Sequence, residues 1–96
     1  MVVQSVSIKW ANIFARRAGK DNSLPAVATG SHLDTQPTGG KFDGVFGVLA
    51  GVEVLRTLHE NNIVTETPME FSVWTNEEGS RFQPAMQGSG VYAGRI

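Results

Sequence analysis

Two short clusters in the sequence carry residue types that bind metal and move protons. The first is His32-Leu33-Asp34, with Asp43 following after Thr35-Gln36-Pro37-Thr38-Gly39-Gly40-Lys41-Phe42. The second is Asn76-Glu77-Glu78-Gly79. Imidazole and carboxylate together suit several divalent ions. A ligating imidazole commonly gives its other N–H to a carboxylate, which fixes tautomer and ring orientation. Residues two apart in an extended segment point the same way, so His32 as ligand with Asp34 behind it is a sound pairing. For an isolated His-x-Asp, the commoner reading is a turn-capping Asp and a hydrogen-bonded loop His. Asp43 precedes Gly44 at the start of a helical pattern. It reads as a helix N-cap, as a carboxylate bridging two metals, or as both. Glu77 and Glu78 read as a charged turn or as a division of labour at a metal site. In the second case one carboxylate binds the ion and the other takes a proton from water. Metal binding lowers the pKa of water from 15.7 to about 7, and a positioned base adds about 10²–10⁴-fold. Spacing alone leaves open which Glu does which.

The elements that must position these clusters follow from periodicity. Val2 to Ile8 alternates imperfectly and predicts a strand; Asn12 to Arg17 is its hairpin partner. Trp10 and Phe14 are assigned to the core. Gly19 to Pro25 is a loop by composition, and Ala26 to Gly30 a short buried strand. Apolar residues at Val45, Val48, Leu49, Val52, Leu55 and Leu58 have helical spacing. They predict a helix over 44–60, ending at Asn61-Asn62. Gly47 and Gly51, one turn apart, each cost about 1 kcal/mol against Ala in a helix. Close packing on a sheet is the reason to expect for them. His59 is placed on the surface, favoured by the helix dipole. Met69 to Thr75 alternates almost perfectly and predicts a strand. Residues 77–83 read as loop, and 84–94 as one helical turn followed by loop. Strand, loop, helix, connector, strand is a crossover that joins parallel strands. Both clusters then leave the carboxyl ends of their strands on the same sheet edge, where ligands bind in open α/β folds.

Composition bounds the remaining classes. The chain has 96 residues, no cysteine and a net charge of −1. Lack of cysteine excludes disulfides and thiolate metal sites and fits a reducing compartment. Cytoplasm is the default location. Arg16, Arg17 and Lys20 read as a solvated hairpin end rather than a nucleic-acid patch. No stretch is long enough to span a membrane. A phosphate-cradling loop is absent. Gly88 to Gly94 approaches a dinucleotide fingerprint but has one residue too many before its last Gly.

At greater length the two clusters resemble a known family. Thr29-Gly30-Ser31-His32-Leu33-Asp34-Thr35-Gln36-Pro37-Thr38-Gly39-Gly40-Lys41-Phe42-Asp43-Gly44 resembles the first metal motif of the M20-type amidohydrolases. The nearest branch is that of N-carbamoyl-L-amino-acid hydrolases and beta-ureidopropionases, with allantoate amidohydrolase as a near relative. Trp74-Thr75-Asn76-Glu77-Glu78-Gly79-Ser80-Arg81-Phe82 resembles the second motif. The likeness runs from about Asn12 to Gly94, and the intervals between motif residues agree.

The resemblance implies roles. His32 would bind one metal, Asp43 would bridge two, and Glu78 would bind the second. Glu77 would be the general base and Asp34 would stand behind His32. Two divalent ions are implied, zinc or manganese. So is a cis Asp43–Gly44 peptide, whose cost of about 2.5–4 kcal/mol a metal site tolerates. The implied reaction is hydrolysis of a carbamoyl or related linear amide C–N bond in a small molecule. An N-carbamoyl amino acid would give the amino acid, carbon dioxide and ammonia. The implied fold is α/β, a partial zinc-exopeptidase-like catalytic domain with a parallel crossover. Family members are several times longer. They add two further His ligands and a lid domain that forms a homodimer. Where they have Gly before Asn12, and Asp a few residues earlier, this sequence has Ala11 and Ile8. The resemblance therefore implies that 1–96 is an N-terminal fragment of a metallohydrolase catalytic domain, lacking the lid and inactive alone. The alternative is a small self-standing domain that binds metal or a partner without catalysis.

Overall fold

The computed structural model describes residues 3–96. The chain runs β1 (Ser5–Lys9), β2 (Asn12–Arg17), β3 (Val27–His32), α1 (Val45–Glu60), β4 (Met69–Trp74) and α2 (Gln87–Tyr92). The four strands form one mixed sheet in the order β1-β2-β4-β3. β1 and β2 are an antiparallel hairpin, β4 lies antiparallel to β2, and β3 pairs parallel to β4. The α/β class and the parallel crossover are as the sequence predicts.

The hairpin turns on Trp10 and Ala11, both at positive φ (52° and 63°), between the paired Lys9 and Asn12. A two-residue turn of this kind matches strand twist but favours Gly or Asn. Trp10 is spent on that turn and is 49 % exposed, so its assignment to the core is corrected. Phe14 packs on the opposite sheet face from α1, edge-on to Trp74 at 5.7 Å and against Tyr92 of α2 at 5.4 Å.

α1 lies across β3 and β4. Its contact face is Val48, Gly51 and Leu55, packed on Phe71. A side chain at Gly51 would meet the Phe71 ring at 2.5 Å, and one at Gly47 would meet Ser31 Oγ at 2.7 Å. The two glycines thus let the helix sit directly on the sheet, as their spacing predicts. Val48, Leu55 and Phe71 are the buried hydrophobic residues among those described. Each is worth about 1.5–3 kcal/mol, which makes the core small. Leu49 and Val52 belong to the predicted stripe yet are exposed, because α1 is wider in apolar surface than the two strands beneath it. The helix ends at Asn61, whose side chain donates to Thr57 O at 2.8 Å, and Asn62 at φ 54° turns the chain away. His59 is exposed, as expected.

Several sequence readings are corrected here. Of the first predicted strand, Val2 lies outside the described residues; β1 covers Ser5–Lys9 and is exposed throughout. β3 forms an exposed sheet edge rather than a buried strand, because α1 and β4 cover it from one side each and no strand among the described residues pairs beyond it. Arg17 is not solvated: it is buried, and its Nη2 donates to Ile63 O at 2.7 Å. The Asp43–Gly44 peptide is trans; the cis bond among the described residues is Gln83–Pro84. Residues 84–94 do hold a short helix, α2 (Gln87–Tyr92), entered by a turn at 85–86 and followed by one at 93–94.

Candidate metal centre

His32 is the last residue of β3, and β4 ends at Trp74, directly opposite it in the parallel register. Everything downstream of both strands therefore starts from one edge. The first loop returns to that edge by two turns. Gly39 N–H donates to Gln36 O at 3.1 Å and Asp43 N–H to Gly40 O at 3.2 Å. Ser31 Oγ then closes the loop by donating to Gly44 O at 2.8 Å. Gly44 is required twice over: its φ is 73°, and a Cβ there would lie 2.5 Å from His32 Cε1. Only a residue without a side chain both adopts this backbone and clears the imidazole. Asp43 makes no side-chain cap on α1. Its N-cap reading is thereby set aside, and its carboxylate is left for the site.

The second cluster is turned into place by Asn76, at φ 52°. Its buried amide donates to Phe82 O at 2.7 Å and to Gln87 Oε1 at 2.9 Å, which shapes the loop after β4. Asp34 joins the two clusters. Its carboxylate accepts from Glu77 N–H at 3.1 Å and from Glu78 N–H at 3.0 Å. Ser80 Oγ adds a bond to Thr35 O at 2.6 Å, and Gln36 Nε2 reaches Glu78 Oε2 at 3.3 Å.

The result is a convergence of acceptors. One potential ligand atom from each of His32, Asp43 and Glu78 lies within 4.8 Å of the others. His32 Nδ1 is 2.9 Å from the backbone carbonyl of Asp34, and 3.5 Å from its carboxylate. A carbonyl only accepts, so this contact puts a proton on Nδ1 and turns Nε2, the nitrogen free to ligate in the neutral ring, toward the cluster. Nε2 stands 3.4 Å from Glu77 Oε2 and 3.9 Å from Asp43 Oδ1. The Glu78 carboxyl is raised above its ordinary range, first by a hydrogen bond with Asp43, then by burial and the neighbouring carboxylates. Without a cation, adjacent carboxylates hold on to a proton. One imidazole nitrogen and two carboxylates converging on one place, with Glu77 beside them, form a donor set that fits a divalent cation. A cavity of about 430 Å³ adjoins the clamp, lined in part by Asp34, Thr35, Asn76 and Arg81.

The sequence reading places all five named residues here: His32, Asp43 and Glu78 together, Glu77 beside them, and Asp34 beneath. It differs on how Asp34 acts, since the backbone carbonyl of Asp34 rather than its carboxylate makes the shorter contact to His32. It gave no role to Asn12, Gln36, Asn76 and Ser80, which shape the site through hydrogen bonds. A polar residue directly ahead of the apolar run Ile13-Phe14-Ala15 was the available signal for Asn12.

Comparison with known proteins agrees with this geometry. Residues 28–95 match the sequence pattern of peptidase family M20/M25/M40. The chain is 56 % identical over 86 residues to an N-carbamoyl-L-amino-acid amidohydrolase of Rhizobium meliloti, covering 90 % of this chain and 21 % of that protein. It is 42 % identical over 83 residues to a ureidoglycolate hydrolase of Arabidopsis thaliana, covering 86 % and 17 %. The crystal structure of a hydantoinase/carbamoylase family amidase from Burkholderia ambifaria superposes with a TM-score of 0.90 at 58 % identity, over 96 % of this chain and 23 % of that one. The chain spans about a fifth of the length of the curated relatives it matches. With both motifs inside the matched span and the fold shared, the chain belongs to peptidase family M20/M25/M40.

Proposed function

We propose that this chain carries the first part of the active centre of a hydrolase that cleaves carbon–nitrogen bonds other than peptide bonds in linear amides. The substrate class is an N-carbamoyl amino acid or a ureido compound. The observation that supports this most is the convergence of His32, Asp43 and Glu78 within 4.8 Å. The names of the relatives, an N-carbamoyl-L-amino-acid amidohydrolase and a ureidoglycolate hydrolase, point to the same bond type. His32, Asp43 and Glu78 would hold divalent ions, zinc or manganese. When bound, such ions polarise a carbonyl and lower the pKa of water.

The chain's own residues do the rest. Glu77, with Oε2 beside His32 Nε2, takes the proton from the attacking water and returns it to the departing nitrogen. Asp34 keeps Glu77 and Glu78 in place through their backbone amides and keeps the His32 ring oriented. For an N-carbamoyl amino acid, water adds to the carbamoyl carbon and the C–N bond breaks. The products are the amino acid, ammonia and carbon dioxide. Residues 1–96 are, in this reading, the N-terminal portion of the catalytic domain, with the remaining ligands and a dimer-forming lid supplied outside it. A cytoplasmic location is part of the same proposal, in keeping with a cysteine-free sequence.

The test is a chimera in which this chain replaces the matching span of the Rhizobium meliloti relative. It should hydrolyse an N-carbamoyl amino acid, and Glu77→Gln should slow it about 10²–10⁴-fold with metal content unchanged. His32→Ala should remove metal. A full rate after Glu77→Gln overturns the base assignment, and unchanged metal after His32→Ala overturns the ligand assignment.

A further inference from the structure

Asn12 is 1 % exposed, at the first position of β2. A buried amide costs free energy unless its polar atoms are bonded, and both ends of this one are used on distant segments. Its Oδ1 accepts from Thr75 N–H at 2.9 Å and its Nδ2 donates to Gly88 O at 2.9 Å. Thr75 Oγ1 donates to Ala11 O at 2.6 Å, and Gly88 N–H donates to Thr75 O at 2.9 Å. The β2–β4 ladder stops at Ile13–Val73. Beyond that pair the Asn12 side chain takes over, holding the exit of β4 against the start of α2.

That exit leads within three residues to Glu77 and Glu78. The pair hangs between two polar grips. Asp34 holds the Glu77 and Glu78 amides from the first loop, and Asn12 holds the Thr75 amide from the hairpin. Asn76 makes the bend between them. A shift at Thr75 is carried by this short, bonded stretch to the Glu78 carboxylate.

We propose that Asn12 is a positioning residue for the metal centre: by holding the Thr75 amide, it sets where Glu78 stands relative to His32 and Asp43. The inference rests on the metal-centre reading above. A site that loses an outer support of this kind typically loses about 10–100-fold in metal affinity.

The experiment measures Zn²⁺ affinity of the 96-residue chain by competition with a chromophoric chelator, alongside amide hydrogen exchange and thermal melting. Asn12→Ala should raise the Zn²⁺ Kd about 10–100-fold and speed exchange at Thr75, Glu77 and Glu78. Leu55→Ala, which thins the core beneath α1, should lower the melting temperature and leave the Kd of the folded chain within about twofold, as distant sites act independently. Asn12→Asp keeps the acceptor for Thr75 and loses the donor to Gly88; it should restore most of the affinity whatever its effect on melting. An unchanged Kd in Asn12→Ala overturns the proposal, as does an Asn12→Asp chain that binds as poorly as Asn12→Ala. If Asn12→Ala does not fold, Asn12→Ser, whose side chain is too short to reach both Thr75 and Gly88, takes its place and is judged by the same outcomes. Should the wild-type chain bind no Zn²⁺, the metal-centre reading fails. The grip is then judged by exchange alone: faster Glu77 and Glu78 amides in Asn12→Ala uphold it, and unchanged ones overturn it.

Discussion

The carboxyl edge of the sheet and the face beside α1 are built by different physics. At the carboxyl edge, polar side chains are matched to partners. Asp34 takes two amides, Asn76 ties its own loop, and Asn12 bridges two segments. On the face beside α1, apolar side chains stand uncovered. Val6 and Ile8 of β1 are paired with Ala15 and Ile13, which continue to Phe71 and Val73, so they share the sheet face on which α1 lies. Yet α1 packs mainly on β3 and β4, and Ile8 and the helix's own Phe46 are each 73 % exposed. Directional hydrogen bonds thus order the site, while a small core supplies the hydrophobic stabilisation. The contrast teaches that geometry at this site need not be proportional to burial around it.

The contrast can be broken most severely through the core. Phe71→Ala removes the ring on which Gly51 rests and should cost about 3–5 kcal/mol. That should leave the chain largely unfolded in a urea titration followed by circular dichroism, with site and core lost together. A chain that keeps its cooperative transition would show that the polar edge holds the fold more than the core does.

A smaller effect sharpens the comparison at the hairpin. Ala11 occupies φ 63° where a side chain is unfavourable. Ala11→Gly relieves that conformation and should stabilise by about 0.5–1 kcal/mol, net of the extra freedom Gly gains unfolded. Thermal melting reads it, and no change in Zn²⁺ affinity should accompany it. A lower melting temperature would mean that the turn is not the strained element it resembles.

The smallest effect is on pH dependence. Glu78 is raised in the folded chain, first by its hydrogen bond with Asp43. The folded state therefore binds the Glu78 proton at a pH where the unfolded state has released it. Where the folded state holds more protons, stability falls as pH rises. The contribution of Glu78 is thus fully present below the unfolded carboxylate value of 4.5 and is lost as pH climbs through the raised value. Metal-free wild type should lose stability relative to Glu78→Gln across that interval, and a saturating divalent cation should reverse the trend. Parallel melting curves for the two proteins against pH would remove Asp43 as the cause.

Much of this was legible from local pattern, and the exceptions share a cause. The period of Val45, Val48, Leu49, Val52 and Leu55 indicated α1, and the alternation of Met69, Phe71 and Val73 indicated β4, because each reports one face of one element. What escaped was which face is covered. Val27 to Gly30 looks buried by composition, and Leu49 and Val52 look like core, but burial depends on the neighbour across the gap. Trp10 was misplaced for a related reason. Its backbone is bent by pairing between Lys9 and Asn12, and pairing partners are not local information.

The sequence by itself determined the residue types of the site and the two strand ends that launch them. Side-chain chemistry and backbone freedom are properties of single residues and short windows, so they can be read there. Only the tertiary structure decided that β3 and β4 pair in a register setting His32 opposite Trp74, that Asp34 grips the amides of Glu77 and Glu78, and that Asn12 reaches Thr75 and Gly88. Those contacts join residues 42 to 76 positions apart. They form because the parallel crossover brings both loops to one edge, where unpaired backbone amides must find acceptors.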